Sequence, residues 1–398
     1  MSSCRICNSS DLTTVLSLGE QYLSEFRDDD KKPPKFPLDL IICNNCKQVQ
    51  LYGTVPQNLL YTDNYGYRSG INATMRNHLR DLVFDLLKIV PLEFGDLVID
   101  LGSNDATLLK WYPSHYTRIG YDLVPKFEAY YEGTGIKFAP FEFDPKYMSR
   151  KAKIITAISM FYDLNEPVSL MKSMADALES NGVIVIQQNY LLSMLKNNGF
   201  ENILAEHLCY HSVNSMQKIV EQCGLEIFDV SVNDLNGGSF RTYISHKDAG
   251  YGISASVKEQ LWFEKMYGLD KLKCYADFAK RISKLKETTM KFIHKARSDG
   301  KMIAALAAST RGNTLLQYYG LDNKLIYAAV ERNPEKIGKK IASCGIPIIS
   351  EEQFMQDMPD YALSLSWYFS AELKTRYAEY IKNSGKLIFP LPKFEVVS

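Results

Sequence analysis

Four cysteines near the start of the chain form two closely spaced pairs, Cys4 with Cys7 and Cys43 with Cys46. Two residues separate the members of each pair, which is the spacing typical of zinc knuckles with thiolate ligands. Redox chemistry is the alternative, but a redox-active dithiol needs only one pair. We therefore predict a structural zinc ion, which offers no catalysis because four thiolates leave the metal no open position.

A second group of residues suits an adenosyl ligand. Asp100, Gly102 and Asn104 surround the end of one apolar segment, and Asp122 ends the next, 20 residues after Gly102. The glycine lets the backbone approach a ligand, and the second carboxylate can accept hydrogen bonds from ribose hydroxyls. The Gly-x-Gly-x-x-Gly fingerprint of dinucleotide sites is absent, so S-adenosylmethionine (SAM) is the favoured ligand. An ordinary strand-to-helix turn is the alternative.

An acid and a histidine stand side by side at Glu206 and His207. Histidine titrates near neutral pH, so His207 can act as a general base if a proton donor lies within reach. Consecutive residues do not share a helix face, so Glu206 need not orient the imidazole. A purely structural histidine is the alternative interpretation.

Two further segments combine small residues with an arginine. The segment around Gly238 and Arg241 is predicted to be a glycine loop that either holds a phosphate or shapes a turn. Arg311 and Asn313 lie between a predicted strand and a predicted helix, where free backbone amides favour anions. The Ser/Thr/Asn residues there also suit a simple helix cap.

Apolar periodicity predicts the elements that position these residues. Asn77–Val90 has the spacing of an amphipathic helix. Strands and helices then alternate, which is typical of an open, doubly wound, Rossmann-like sheet. A mostly helical link over Tyr251–Arg297 leads into a second alternation. We predict an α/β protein with a small zinc-binding domain at residues 1–72, a Rossmann-like domain at 73–248, and a second Rossmann-like domain with the helical link at 249–398.

Charge and apolar runs exclude several classes of protein. The 46 Lys and Arg residues balance the 46 Asp and Glu residues, which argues against a nucleic-acid partner bound through a broad basic face. No run approaches the roughly 18 apolar residues of a membrane span. The first residues lack the pattern of a secretory signal, so we expect a cytoplasmic protein.

These motifs, taken in order, resemble those of the three-domain sugar C-methyltransferases, which act on nucleotide-linked 4-keto-deoxyhexoses in antibiotic and surface-glycan pathways. The resemblance covers nearly the whole chain. It depends on the two cysteine pairs, Tyr65–Gly70, Leu101–Asp105, Glu206-His207, Gly237–Ser239, Arg311–Thr314 and Phe389–Pro392.

The resemblance implies methylation at carbon 3 of the sugar, next to the C4 ketone, with SAM as methyl donor. His207 matches the proposed base, with Glu206 beside it and Tyr65 or Tyr67 capping the sugar pocket. Tyr210 is a further candidate donor to the enolate oxygen. The predicted substrate-binding residues are Arg68, Ser69, Gly238, Arg241, Arg311 and Asn313.

Three positions depart from the family pattern. Asp163 stands where many relatives have a histidine, which makes it a competing base, and Leu204 replaces a frequent tyrosine. Ala106 replaces a usual glycine, which we interpret as mild because alanine adds only a methyl group. Two alternatives to sugar C-methylation therefore stay open. One is a methyltransferase for oxygen or for another nucleotide-linked acceptor, and the other is a non-catalytic zinc- and nucleotide-binding subunit.

Overall fold

The computed structural model describes residues 3–56, 59–60 and 67–398, and within these residues the strands form three sheets. The strands are β1 (Leu12–Tyr22), β2 (Phe26–Arg27), β3 (Lys35–Cys43), β4 (Val49–Leu51), β5 (Leu97–Leu101), β6 (Thr117–Tyr121), β7 (Lys137–Ala139), β8 (Ala152–Ile158), β9 (Leu178–Asn189), β10 (Cys209–Tyr210), β11 (Leu225–Asn233), β12 (Ser239–His246), β13 (Ile303–Leu306), β14 (Ala328–Glu331), β15 (Lys340–Ile341), β16 (Ile346–Ser350), β17 (Tyr361–Ser364), β18 (Lys386–Phe389) and β19 (Glu395–Val397).

The α-helices are α1 (Ala73–Ile89), α2 (Pro167–Ala177), α3 (Leu191–Lys196), α4 (Val213–Gln222), α5 (Ala255–Tyr267), α6 (Leu272–Ser298), α7 (Thr310–Tyr319), α8 (Glu351–Asp357), α9 (Ser370–Arg376) and α10 (Ala378–Lys382). Most of the α-helices lie between strands of the two larger sheets in the chain order, and α5 and α6 connect the two sheets. The first helix begins earlier than the periodicity predicted, because the side chain of Asn72 caps it by accepting from the Thr74 amide.

The N-terminal sheet has the order β1-β3-β4-β10, and its last strand comes from a distant part of the chain. Cys209 of β10 pairs with Gln50 of β4, so the segment directly after His207 completes this sheet. The buried guanidinium of Arg5 donates to the carbonyl oxygens of Leu51 (2.6 Å) and Gly53 (3.0 Å), which fixes the end of β4.

The central sheet has the order β11-β12-β9-β8-β5-β6-β7, and only β12 runs antiparallel to its neighbours. All five residues of β5 are buried, as its continuous apolar run predicted. Because the carboxyl ends of the parallel strands meet at one edge, the residues that follow β5, β6 and β8 come together there. The predicted doubly wound domain is confirmed.

The C-terminal sheet has the order β19-β18-β17-β13-β14-β16-β15-β2. Its edge strand β2 belongs to the N-terminal part of the chain and pairs with β15. The predicted helical link consists of α5 and α6. Within it, the buried carboxylate of Glu264 accepts from the amides of Val213 (2.6 Å) and Asn214 (3.0 Å), which ties α5 to the start of α4.

One predicted loop is a strand in the structure. Gly237 (φ +87°) and Gly238 (φ +119°) complete a tight turn, and β12 begins at the next residue. Arg241 therefore lies within a sheet rather than in a glycine loop. In the described part of the chain, every helix is too short or too polar to span a bilayer.

Candidate active site and zinc centre

The four predicted zinc ligands converge. Their sulfur atoms all lie within 4.8 Å of one another, with 3.4 Å between the Sγ atoms of Cys4 and Cys46 and 3.6 Å between those of Cys7 and Cys43. Zinc bound to four sulfurs at about 2.3 Å requires sulfur–sulfur distances of about 3.8 Å. The backbone amide of Ile6 points at the Cys4 sulfur from 3.4 Å, as in a knuckle. The residues present fit a tetrahedral zinc ion.

The zinc site is connected to the central sheet. The Lys218 ammonium of α4 donates to the carbonyl oxygen of Cys46 at 2.7 Å. Strand β4, which starts three residues after Cys46, pairs with β10. The knuckle therefore supports the strand that directly follows Glu206 and His207.

A cavity of about 440 Å³ lies at the carboxyl edge of the central sheet, lined in part by Asp100, Gly102, Asn104 and Asp122. Gly102 has φ +68°, and a Cβ atom there would lie 2.9 Å from Cγ of Met160. Both the backbone conformation and the lack of space therefore require glycine at this position.

The carboxylate of Asp122 connects the loop after β5 with the loop after β6, the two parts of the predicted nucleotide site. Its Oδ2 accepts from the Asn104 amide and its Oδ1 from the Val124 amide, each at 2.9 Å. Each oxygen keeps a lone pair for a further donor such as a ribose hydroxyl. Burial raises the pKa of Asp122, and the two amide hydrogen bonds oppose that rise.

Asp100 is only 4% exposed and accepts a hydrogen bond from the Thr156 hydroxyl at 2.5 Å. Burial raises the pKa of Asp100 to about 7, the charge of Asp122 adds to the rise, and the Thr156 bond opposes it. Protonated and ionised Asp100 are therefore both present near neutral pH.

The segment at residues 67–70 packs against the loop that follows β5. This loop, residues 102–106, is called the nucleotide loop. The amides of Ser69 and Gly70 donate to the side chains of Asn104 (3.0 Å) and Asp105 (2.9 Å). A Cβ atom at Gly70 would lie 2.5 Å from an Asp105 oxygen, so the close approach depends on glycine. Tyr67 and Ser69 thereby line the cavity, whereas Tyr65 lies outside the described residues.

Arg68 is held beside this segment. Its guanidinium donates to the Tyr130 hydroxyl at 2.8 Å and lies 3.6 Å from the Asp105 carboxylate. These contacts fix Arg68 close to the nucleotide loop, and its role in substrate binding stays a prediction.

The cavity fits SAM in size and chemistry. Its volume lies within the roughly 300–1,000 Å³ typical of small-molecule sites. Phe141 and Phe143 stand edge-on to Tyr121, with ring centroids 5.8 and 5.2 Å apart, and give one wall an aromatic surface suited to a purine. The Asp122 carboxylate lines the same cavity, and its role as an acceptor for ribose hydroxyls stays a prediction.

His207 has a defined tautomer. Its Nδ1 lies 2.9 Å from the carbonyl oxygen of Asn202, which can only accept, so Nδ1 carries the proton and Nε2 keeps its lone pair. The ring packs against Tyr162 with centroids 4.1 Å apart. Burial lowers the pKa of His207 to about 3, the charge of Arg311 lowers it further, and the Asn202 bond opposes both effects. His207 is therefore neutral at physiological pH.

Asp163 and Tyr210 are two further candidate catalytic residues. Asp163 lines the cofactor cavity, whereas His207, Tyr162 and Tyr210 line a separate cavity of about 10 Å³, large enough for about one water molecule. The Tyr210 hydroxyl is 3.4 Å from the Asn202 carbonyl oxygen. Burial raises the pKa of Glu206 to about 7.

A relative and three successive family models match the chain over almost its whole length. Family models match it in succession: a zinc binding domain at residues 4–61, a methyltransferase domain at 72–230 and a C-methyltransferase C-terminal domain at 234–392. The C-methyltransferase NovU of Streptomyces niveus is 27% identical over 406 residues, which cover 99% of this chain and 96% of that protein. The chain belongs to the three-domain C-methyltransferase family. SAM and zinc are its cofactors, as predicted.

Solved methyltransferases align with less than half of this methyltransferase. A SAM-dependent methyltransferase from Clostridium acetobutylicum ATCC 824 is 12% identical, with 43% of this chain and 92% of that chain covered and a TM-score of 0.36. Magnesium protoporphyrin IX methyltransferase from Synechocystis PCC 6803, with bound SAH, is 16% identical, with 46% and 91% covered and a TM-score of 0.35. Such low scores support no further conclusion.

Gly238 and Arg241 of the methyltransferase are tightly packed. A Cβ atom at Gly238 would lie 2.3 Å from that of Ser193. The buried Arg241 guanidinium donates to the side-chain oxygen of Gln187 (3.1 Å) and to the Tyr243 hydroxyl (3.0 Å). These contacts stabilise a turn and a strand, and the predicted roles in substrate binding stay predictions.

The segment at Arg311 and Asn313 adopts the helix-cap geometry that the sequence left open. Ser309 accepts from the Gly312 amide at 3.0 Å and caps α7. The Arg311 guanidinium donates to Glu201 at 2.6 Å, and the buried Asn313 accepts from the Ser343 hydroxyl. Binding of substrate by Arg311 and Asn313 remains a prediction.

Sequence reasoning missed several residues that shape the site. Tyr162 packs on the histidine, Thr156 bonds Asp100, and Asn202 acts through a backbone oxygen that no side-chain pattern could have indicated. Glu201 is fully buried although it is charged. Its only sequence signal is an acidic residue beside the apolar Phe200 and Ile203.

Proposed function

We propose that this methyltransferase adds a methyl group to carbon 3 of a nucleotide-linked 4-keto-deoxy sugar. The observation that carries the proposal is the hydrogen bond from Nδ1 of His207 to the Asn202 carbonyl, which leaves the Nε2 lone pair available as a base. The family assignment and the family-like Glu206-His207 motif support the same reaction class.

His207 would take the carbon-3 proton onto Nε2. Because His207 lines a cavity of about 10 Å³ separate from the larger one, the side chains between the two cavities must move when the sugar binds. The electrons of the broken carbon–hydrogen bond move toward the C4 ketone and form an enolate, whose carbon 3 is then nucleophilic. SAM, when bound, supplies an electrophilic methyl group. The low pKa of His207 disfavours the imidazolium in the free protein, but the negative charge of an adjacent enolate would offset that penalty.

Hydrogen bonds to the enolate oxygen are needed alongside the base. Tyr67 lines the cofactor cavity and Tyr210 lies close to His207, so both are candidate donors, together with the predicted Tyr65. Glu206, whose pKa is about 7, is a group that can exchange a proton near neutral pH. Asp163 on the cavity wall is the competing base.

The substrate class is tested by incubating the protein and SAM with thymidine-, guanosine- and cytidine-linked 4-keto sugars. The expected product has the mass of one added methyl group, together with one equivalent of S-adenosylhomocysteine. Absence of both with every sugar would refute the proposal, as it would for a non-catalytic subunit. A methylated product that retains the carbon-3 proton would indicate an oxygen acceptor instead.

The base is tested by exchange of the carbon-3 proton with solvent deuterium in His207→Asn and Asp163→Asn. We expect His207→Asn to reduce turnover about 10²–10⁴-fold, the range for a lost general base, with SAM affinity little changed. If exchange persists in His207→Asn and disappears in Asp163→Asn, the base is Asp163.

Because the zinc site requires reduced thiols, we also propose that the reaction takes place in the cytoplasm.

A further inference from the structure

Glu201 forms a buried charged contact with the C-terminal domain. Its side chain is fully buried, and its Oε1 accepts from Nη2 of Arg311 (2.6 Å) and from Nε1 of Trp367 (2.8 Å). A buried carboxylate is tolerated in a protein interior when it is paired and hydrogen-bonded in this way. Both donors come from residues that the C-methyltransferase C-terminal domain model covers.

Arg311 is itself fixed in place. Its Nη1 donates to the carbonyl oxygen of Asn236 at 2.8 Å, and its guanidinium lies 4.3 Å from the ring centre of Tyr368. The side chain is 12% exposed. Glu201 is therefore bonded to a rigid cation rather than to a mobile surface arginine.

The turn that carries Glu201 also carries the partner of His207. Glu201 belongs to the short helical turn Phe200–Asn202, and Asn202, the next residue, accepts from Nδ1 of His207. The Asn202 side chain donates to the Gly199 carbonyl (3.1 Å) and accepts from Asn189 (2.7 Å), so the turn is also held from the central sheet.

We infer that Glu201 is a positioning residue for His207. By bonding Arg311 and Trp367, it holds the Phe200–Asn202 turn against the C-terminal domain, and the turn presents the carbonyl oxygen that keeps the proton of His207 on Nδ1. The C-terminal domain thereby acts on the base through this turn, in addition to the direct effect of the Arg311 charge. The inference rests on the proposed function where it concerns catalysis, but the tautomer of His207 can be measured without substrate.

The test uses the full-length, zinc-loaded protein with ¹⁵N-labelled histidines. The chain has six histidines, and the His207 signals are assigned by their loss in His207→Gln. In the unmodified protein we expect the Nδ1–H form. In Glu201→Ala we expect a mixture of tautomers or the Nε2–H form, with turnover reduced on the order of 10²-fold, as for a misplaced catalytic group, and with an unchanged KM for SAM.

A matched control separates positioning from general destabilisation. Glu331 is also largely buried, with its carboxylate 3.6 Å from Lys336, and this carboxylate accepts from the amides of Arg332 and Asn333 rather than from groups of the C-terminal domain that hold the Phe200–Asn202 turn. Glu331→Gln should leave the histidine spectrum unchanged. Trp367→Phe removes one of the two donors to Glu201 and keeps an aromatic ring, so it should shift the tautomers in the same direction by less.

The inference is overturned if a folded Glu201→Ala protein retains the Nδ1–H tautomer. Should Glu201→Ala not fold, Trp367→Phe decides, and an unchanged His207 spectrum in that variant overturns the inference equally. A tautomer shift in a protein that methylates no 4-keto sugar would refute the proposed function and leave the positioning role intact.

Discussion

The central strands of the two larger sheets end in the same local pattern. β5 is followed by Gly102 at φ +68°, and β13 by Ala307 at φ +74°. The neighbouring parallel strand leads in both cases to an acid, Asp122 after β6 and Glu331 at the end of β14. Each carboxylate accepts two backbone amides, those of Asn104 and Val124 for Asp122 and those of Arg332 and Asn333 for Glu331.

The surroundings of the two acids differ. Asp122 faces the 440 Å³ cofactor cavity. Glu331 instead lies 3.6 Å from Nζ of Lys336, which also donates to the Ala308 carbonyl at 2.9 Å and lies 4.2 Å from the ring centre of Phe26. Phe26 belongs to β2, so a strand from the N-terminal part of the chain covers the crevice of the C-terminal sheet.

The comparison shows that a strand, a left-handed residue and an acid are not enough to form a ligand site. The pattern is local, but the space beside it is decided by side chains from distant segments. In the central sheet that space is a cavity, and in the C-terminal sheet Lys336 and Phe26 lie beside the acid.

Loss of zinc should have the largest effect on stability, because the N-terminal part of the chain pairs through β4 with β10 and through β2 with β15 of the C-terminal sheet. We expect Cys43→Ala/Cys46→Ala to lose zinc and at least several kcal/mol of stability, since zinc contributes about 10–16 kcal/mol to the folding of small zinc-binding peptides. Both β2 and β10 should be displaced. Metal analysis and thermal unfolding check this, and full folding of the zinc-free variant would contradict it.

Asp100 distinguishes the two central strands, because Ala305 stands at the matching position, two residues before Ala307. Burial raises the pKa of Asp100 from 3.8 to about 7, so the folded state binds more protons than the unfolded state between about pH 4 and 7. The free energy of unfolding therefore falls as pH rises through this window, by at most about 4 kcal/mol at about 1.4 kcal/mol per pH unit.

The substitution Asp100→Asn removes this titration and keeps an acceptor for Thr156. We expect the thermal midpoint of Asp100→Asn, relative to the unmodified protein, to be higher at pH 8 than at pH 5. Equal differences at the two pH values would show that Asp100 ionises normally in the folded protein.

The two strand-end acids should differ in SAM binding. Asp122→Ala should weaken SAM binding by about 1.5–3 kcal/mol for each charged hydrogen bond lost, whereas Glu331→Ala should not change it. Isothermal titration calorimetry with SAM measures both variants. An unchanged affinity in Asp122→Ala, or an equal loss in both variants, would remove the functional distinction between the sheets.

Two alanines with left-handed backbone give the smallest expected effect. Ala106 (φ +60°) lies in the nucleotide loop and Ala307 (φ +74°) in the C-terminal loop. Replacing either by glycine should raise the free energy of unfolding by about 0.5–1 kcal/mol, because relief of backbone strain exceeds the added entropy of the unfolded chain. Chemical denaturation measures the change in the free energy of unfolding. A loss of stability in either variant would contradict the inference that the alanine backbone is strained.

Ala106 also shows where sequence reasoning was incomplete. Its replacement of a usual glycine was interpreted as mild because only a methyl group is added. The structure adds a second cause to this interpretation, because Ala106 has a positive φ angle that glycine adopts without strain. A dihedral angle cannot be read from residue type at one position.

The sequence by itself determined the cluster of zinc ligands and the alternation of strands and helices, and it predicted the adenosyl-type loop with its acid. Each depends on short-range chemistry: knuckle spacing, apolar periodicity, and glycine followed by a carboxylate at a strand end. Because each feature depends on residues that are close in sequence, it does not change with the arrangement of the domains, and local patterns are enough to identify it.

Only the tertiary structure decided how the three sheets exchange strands and which groups surround His207. β10 joins the N-terminal sheet, β2 joins the C-terminal sheet, and Glu201 meets Arg311 across 110 residues of sequence. Arg311 was predicted from sequence to bind an anion, and the anion it contacts in the structure is a carboxylate of its own chain. Such pairings depend on burial and on distances between remote segments, because a charge removed from water must find its partner in space and not in sequence.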